Sequence, residues 1–337
     1  MASKDIAVGL LIGGTLVWFQ LLPLRLQRGK LAGPDPALRR AIVAASVGVW
    51  KPAAELLAGA AQDWERRALY VGNLASLTGW MGGRWLRAWD AARPGDPDVA
   101  LVKARARIHR AWKKRGAAYA HRTSAWRIRA FHRELLASRE EIAVAASLSP
   151  DDPTPHSAEI LTALGLGYSH DLMSELWAEV TARSPHHFEA HFNALQYWSA
   201  KWRGSNELAC AFAQQASTGA PKGSLMAALP LFAWYEAYFS RSDLLPGPRS
   251  PEVRVMIDAT LEDVNAADDH PRLSDVRHLL AYCLHKQGRH REALEQFRHV
   301  DGYVDALPWH YTGYRRIYYR AIRTAAARGA LIESLRR

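Results

Sequence analysis

From about residue 31 onward, apolar residues recur at helical spacing, strand-like alternation is scarce, and the breaks are short Pro, Gly or Asp clusters. This periodicity constrains the chain more than any other feature, because amphipathic helices bury their apolar stripes by packing on other elements and the pattern supplies only helices. The predicted fold class is therefore all-α. The punctuation adds a period: Pro153 in "DDPTP", Pro185 in "RSPHH" and Pro221 in "GAPKGS" stand 32 and 36 residues apart. A spacing near 34, with a proline closing each unit, is the mark of stacked two-helix repeats.

The clearest unit is "LLAYCLHKQGRHREALEQFRHV", Leu279 to Val300. It places Leu280, Ala281, Leu284, Gly288, Ala293 and Phe297 where a tetratricopeptide repeat has its large, small, large, turn, small and aromatic positions. Ala281 and Ala293 let two antiparallel helices approach, Leu284 and Phe297 fill the groove between them, and Gly288 permits the turn. "WLRAWDAARPGDPDVALVKARA", Trp85 to Ala106, is an imperfect earlier unit, and "LWAEVTARSPHHFEAHFNALQYW", Leu176 to Trp198, repeats its form. With "AWKKRG" and "ALQYWSAKWRGSNELACAFAQQASTGAPKGSLMAALPL" added, the chain resembles an actinobacterial family of uncharacterised, Ala- and Trp-rich tetratricopeptide-like (TPR-like) proteins over roughly residues 60 to 300. The resemblance implies an α-solenoid of antiparallel helix pairs and carries no assigned activity or functional residue.

The N-terminus reads differently. Ile6 to Leu24, "IAVGLLIGGTLVWFQLLPL", holds no charge over 19 residues, and a helix of that length covers about 28 Å, close to the hydrocarbon thickness of a bilayer. Trp18 and Phe19 lie towards one end, and Arg25, Arg28 and Lys30 follow, whereas only Lys4, offset by Asp5, precedes the run. That order excludes a cleaved secretory signal and predicts an anchor helix with the bulk of the chain cytoplasmic. A buried core helix is the alternative. Gly9 and Gly13 form a GxxxG spacing through which two copies could pair as a homodimer. The domain expectation is thus an apolar helix over residues 1–30 and a helical-repeat domain over 31–337.

The net charge of +11 is local. Lys103 to Arg133 holds eleven Lys and Arg and no Asp or Glu. On a helix, Lys103, Arg107, Arg110 and Lys114 form one stripe beside an apolar stripe of Leu101, Ala104, Ile108 and Ala111. The next helix repeats the device with Arg122, Arg129 and Arg133 around Trp126. Two basic faces with an aromatic between them suit anionic lipid, nucleic acid or an acidic protein. A solvated face paired with acidic helices elsewhere is the plainer reading. Cys210 and Cys283 lack disulfide or zinc spacing and read as buried reduced thiols.

Other motifs carry less chemistry. "KWRGSNELACAFAQQ" and "GAPKGS" lack the lysine position and preceding strand of a phosphate loop. Ser205 and Ser224 are expected to cap helices instead, with Gly204 bending the chain; Lys201 and Arg203 beside Gly204 and Ser205 leave room for an anion at that helix start. His187 and His191, four residues apart in "HHFEAH", could offer two zinc ligands, but no third is identifiable and the glutamate of a metalloprotease helix is misplaced. The carboxylates Asp258, Glu262, Asp263, Asp268 and Asp269 read as a solvated acidic face. Trp177, Trp198, Trp202, Trp234 and Trp309 read as packing anchors. No catalytic elbow, dinucleotide fingerprint or calcium loop is present. The expected function is a non-enzymatic interaction scaffold without cofactor that binds a protein segment and is tethered near an anionic surface. A nucleic-acid regulator or an enzyme with an unrecognised site are the alternatives.

Overall fold

A computed structural model describes residues 31–79, 83–116, 123–240 and 245–335. Among them there are fifteen α-helices and no strand, as the periodicity predicts. The apolar stretch 6–24, with its GxxxG spacing, lies outside the described residues. No helix among the described residues is long and apolar enough to cross a membrane.

The chain divides into two compact units. The first holds ten helices among the described residues: α1 (Pro36–Ser46), α2 (Lys51–Ala60), α3 (Trp64–Ser76), α4 (Arg84–Ala92), α5 (Pro97–Arg115), α6 (Ala125–Leu148), α7 (Thr154–Leu166), α8 (His170–Arg183), α9 (Phe188–Tyr197) and α10 (Asn206–Ser217). Local chemistry sets many of their starts. Asp35, Asp63, Asp96, Ser169 and Ser205 each accept a backbone N–H of the helix that follows, which satisfies a donor that has no partner inside the helix.

Consecutive helices pack closely, α5 against α6 most of all, and a second set of contacts joins alternate helices. α1 packs on α3, α3 on α5, α5 on α7 and α7 on α9, and α3 also reaches α7 and α9. Their first turns converge on a buried ion cluster. Arg67 on α3 donates from Nε to Asp152, just before α7, at 2.6 Å and pairs through Nη2 with Asp98 in the first turn of α5 at 2.5 Å. His187, which caps α9 by accepting from the Ala190 N–H, donates from Nε2 to the carbonyl of Trp64, and Glu65 accepts from the Phe188 N–H. Burial pushes the Asp98 carboxyl up, even against Arg67 beside it.

The second unit comprises residues 31–34 and the chain from Pro230 on. Its helices are α11 (Leu229–Phe239, beginning at the boundary), α12 (Pro251–Ala266), α13 (Leu273–Lys286), α14 (His290–Val300) and α15 (Arg315–Leu335). α13 packs on α14 and α14 on α15. Leu280, Ala281, Leu284, Ala293 and Phe297 are fully buried, and Gly288 adopts φ +79° at the turn, a left-handed conformation that favours glycine. The five side chains named in the "LLAYCLHKQGRHREALEQFRHV" pattern are thus core residues and its glycine forms the turn between α13 and α14. Trp234 and Trp309 are core residues here, as expected.

Three expectations fail. Asp258 is not simply solvated, since it pairs with Arg289, and Asp263 is buried. Cys283 is buried, whereas Cys210 is exposed on α10. Ser224 caps no helix, because its hydroxyl donates to the Pro221 carbonyl at 2.6 Å within the turn. Trp177 and Trp198 pack, half-buried, against the core of the first unit, as packing anchors should, and they also wall a cavity.

Candidate functional site

That cavity lies in the first unit, between α8, α9, α10 and the Pro185–His186 turn, with a volume of about 480 Å³. Trp177 of α8 meets Phe212 of α10 edge to face at 5.3 Å, so the two rings bring these helices together over α9. His191 of α9 lies below them, edge-on to Trp177 at 4.7 Å. Trp198, at the end of α9, forms a further wall and is held by His170 at 4.9 Å between ring centres. Ser174, Thr181, Gln215 and Thr218 supply polar groups, and the described lining contains no Asp, Glu, Lys or Arg.

The loop that precedes α10 explains why the wall holds its shape. A Cβ on Gly204 would lie 2.0 Å from the Trp198 carbonyl oxygen, so only glycine lets the chain pass so close to the end of α9. Ser205 then caps α10 by accepting from the Leu208 N–H at 3.1 Å. The Arg203 guanidinium sits beside the Tyr197 hydroxyl and its carbonyl meets His170 at 2.9 Å, so the side chain is used in packing. Lys201 is exposed. Trp202 packs edge-on to Trp112 at 5.3 Å and takes the Arg115 guanidinium over its face, which closes the seam behind the turn.

The two histidines have separate tasks. His187 engages both ring nitrogens, Nδ1 with the Ala190 N–H and Nε2 with the Trp64 carbonyl. Both of its ring nitrogens are thus engaged within the protein. His191 donates from Nδ1 to the His187 carbonyl at 2.9 Å. Burial pushes its pKa down to about 4, against the pull of that hydrogen bond, so the ring is neutral at pH 7. No group of three or more potential metal ligands occurs among the described residues.

The basic segment is divided by its ion pairs. Leu101, Ala104, Ile108 and Ala111 are buried, as the apolar stripe requires. Lys103 pairs with Asp90 at 2.9 Å, Arg107 with Glu134 at 3.4 Å and Glu141 at 2.7 Å, and Lys114 with Glu134 at 2.5 Å. Burial pushes the Glu134 carboxyl up, but Lys114 and Arg107 hold it below the usual range. Much of the first stripe is therefore a helix-to-helix clasp. Arg129 and Arg133 are exposed on α6 beside Trp126, which is 64% exposed, and Arg127 lies over the Trp126 ring at 5.8 Å. Arg110 is half-buried, and Arg122 lies outside the described residues.

No family model, curated protein or solved structure matches this chain.

Sequence reasoning missed the pocket because its walls come from three helices whose ring contacts cannot be read from spacing. The available signal was the run of Trp177, His191, Trp198 and Phe212 within one repeat-like segment, which exceeds what a narrow seam between helices needs to fill it.

Proposed function

We propose that this chain is a non-enzymatic, TPR-like helical-repeat scaffold or adaptor whose antiparallel helix pairs stack as an α-solenoid. It holds a segment of a partner protein in the cavity between α8, α9 and α10. The observation that carries this reading is the cavity itself. Its volume of about 480 Å³ falls in the range of ligand pockets, and its walls are aromatic with a few polar groups. A lining without Asp, Glu, Lys or Arg, in which the buried His191 imidazole is neutral, suits capture of an apolar group. The stacking of α1, α3, α5, α7 and α9 supports the solenoid. The test compares proteins retained by the full chain with those retained by an Ala211→Trp variant. Ala211 is exposed and lines the cavity, so the indole fills the pocket without disturbing a core. A partner lost selectively from the variant supports the reading, and identical capture by both chains sinks it.

A second reading concerns the surface on which the scaffold works. The exposed group of Trp126, Arg127, Arg129 and Arg133 favours contact with anionic lipid, and the apolar stretch 6–24, outside the described residues, would supply the tether. Binding to anionic vesicles that is lost in an Arg129→Glu/Arg133→Glu variant supports it. Binding to DNA that falls steeply with salt, without vesicle binding, would instead favour the nucleic-acid regulator.

A further inference from the structure

His191 is the most buried polar side chain in the pocket lining, at 3% exposure. Its partner on the Nδ1 side is a carbonyl oxygen, which only accepts, so the proton sits on Nδ1 and the lone pair on Nε2. The ring cannot swing freely. Trp177 stands edge-on to it at 4.7 Å and Phe212 lies tilted at 6.0 Å. No group among the described residues hydrogen-bonds to Nε2. The pocket therefore combines aromatic walls with one buried, neutral, fixed acceptor.

That combination selects among ligands. An aliphatic side chain would fill the space but strand the lone pair away from water, and a buried acceptor without a donor is costly. A lysine or arginine would bring a charge into a lining that holds no carboxylate to receive it. A flat ring with a single N–H or O–H satisfies both demands, stacking on the walls and donating to the imidazole. The rim suits the peptide on either side of such a ring. Ser174, Thr181 and Thr218 donate their hydroxyl protons to carbonyls of their own helices, His170, Trp177 and Gln214. Their lone pairs stay open to accept backbone N–H groups.

We propose that the group this pocket takes from its partner is a tryptophan or tyrosine side chain, donating its N–H or O–H to Nε2 of His191. The inference rests on the reading of the cavity as a partner-binding site. Indole and its donor-free isostere benzothiophene are titrated into the full chain and into His191→Phe by ligand-observed NMR. The ratio of indole to benzothiophene affinity is expected to be about three- to tenfold higher in the wild type than in the variant, the size of one net neutral hydrogen bond. Because the variant also loses the bond to His187, the wild type carrying ¹⁵N-histidine provides a measurement that needs no mutation. Indole must shift the His191 Nε2 resonance upfield, and benzothiophene must not. A third arm uses N-acetyl-tryptophanamide, which must compete with indole if the natural source is a side chain in a peptide. If both rings bind with a ratio that His191→Phe leaves unchanged, the pocket stands and the role of His191 falls. If indole binds and the amide does not, the peptide source falls. If neither ring binds, the partner-binding reading falls as well.

Discussion

Replacing Arg67 with methionine removes the cation that joins the carboxylates of Asp98 and Asp152 across the first turns of α3, α5 and α7. Arg67 is 6% exposed and the Asp152 side chain 1% exposed, so the Asp152 carboxylate cannot turn to water without moving a helix end, and that of Asp98 is only partly open to it. Breaking a buried pair on one side costs about 3–5 kcal/mol, because the remaining charge is left uncompensated. In a unit of this size that corresponds to a fall in melting temperature of about 6–20 °C. The sign of the pH dependence also follows. Burial already raises the Asp98 carboxyl above its unfolded value, so the folded state binds more protons and stability falls as pH rises through that window. Without Arg67 the Asp98 carboxyl loses the neighbour that lowers it and is raised further. The deficit of the variant is then greatest near pH 7 and narrows as the pH is lowered towards carboxylate titration. Urea denaturation followed by circular dichroism at several pH values measures this, with Arg67→Met/Asp98→Asn/Asp152→Asn as the reference. The amide introduced at position 152 keeps an acceptor for the Thr154 N–H, which Asp152 now receives. The reasoning is refuted if the single variant loses less than about 1 kcal/mol, or if the triple variant is less stable than the single.

Three further outcomes are expected. Gly204→Ala drives a methyl group into the Trp198 carbonyl, 2.0 Å from its Cβ, and should cost about 1–3 kcal/mol or more in chemical denaturation. Ser205→Ala leaves the Leu208 N–H without its cap and should cost about 1 kcal/mol, with faster hydrogen exchange confined to the first turn of α10. His191 and His278, both pushed down to about 4 chiefly by burial, should stay neutral in NMR titrations to pH 5. The folded state then binds fewer protons than the unfolded one, so each contributes stability that is complete above about pH 6.5 and falls away between there and about pH 4.

Local features were the most legible in the sequence. The helical period, the cap at Ser205, and the α13–α14 unit around Gly288 all follow from neighbours within a turn or two, and the structure places them as the spacing requires. Pairing between distant segments was not legible. Nothing local marks Arg67 as the partner of Asp98 and Asp152, or shows that Glu134 and Glu141 would engage Arg107 and Lys114 and tie up much of the α5 stripe. The same limit applies to the pocket. Trp177 and Trp198 sit in apolar registers indistinguishable from those of Trp234 and Trp309, and only the contact of α8 with α10 over His191 decides which pair faces a cavity and which fills a core.

The central claim, that the α8–α10 cavity holds a partner protein, is tested most directly by placing a photoreactive amino acid at Leu208. This residue is 43% exposed at the edge of the cavity. After irradiation in cells, the adducts are mapped. The account predicts a discrete crosslinked protein, attached beside a tryptophan or tyrosine, that disappears when Ala211→Trp fills the pocket or N-acetyl-tryptophanamide competes. The absence of any protein adduct, or adducts that neither change reduces, would contradict it.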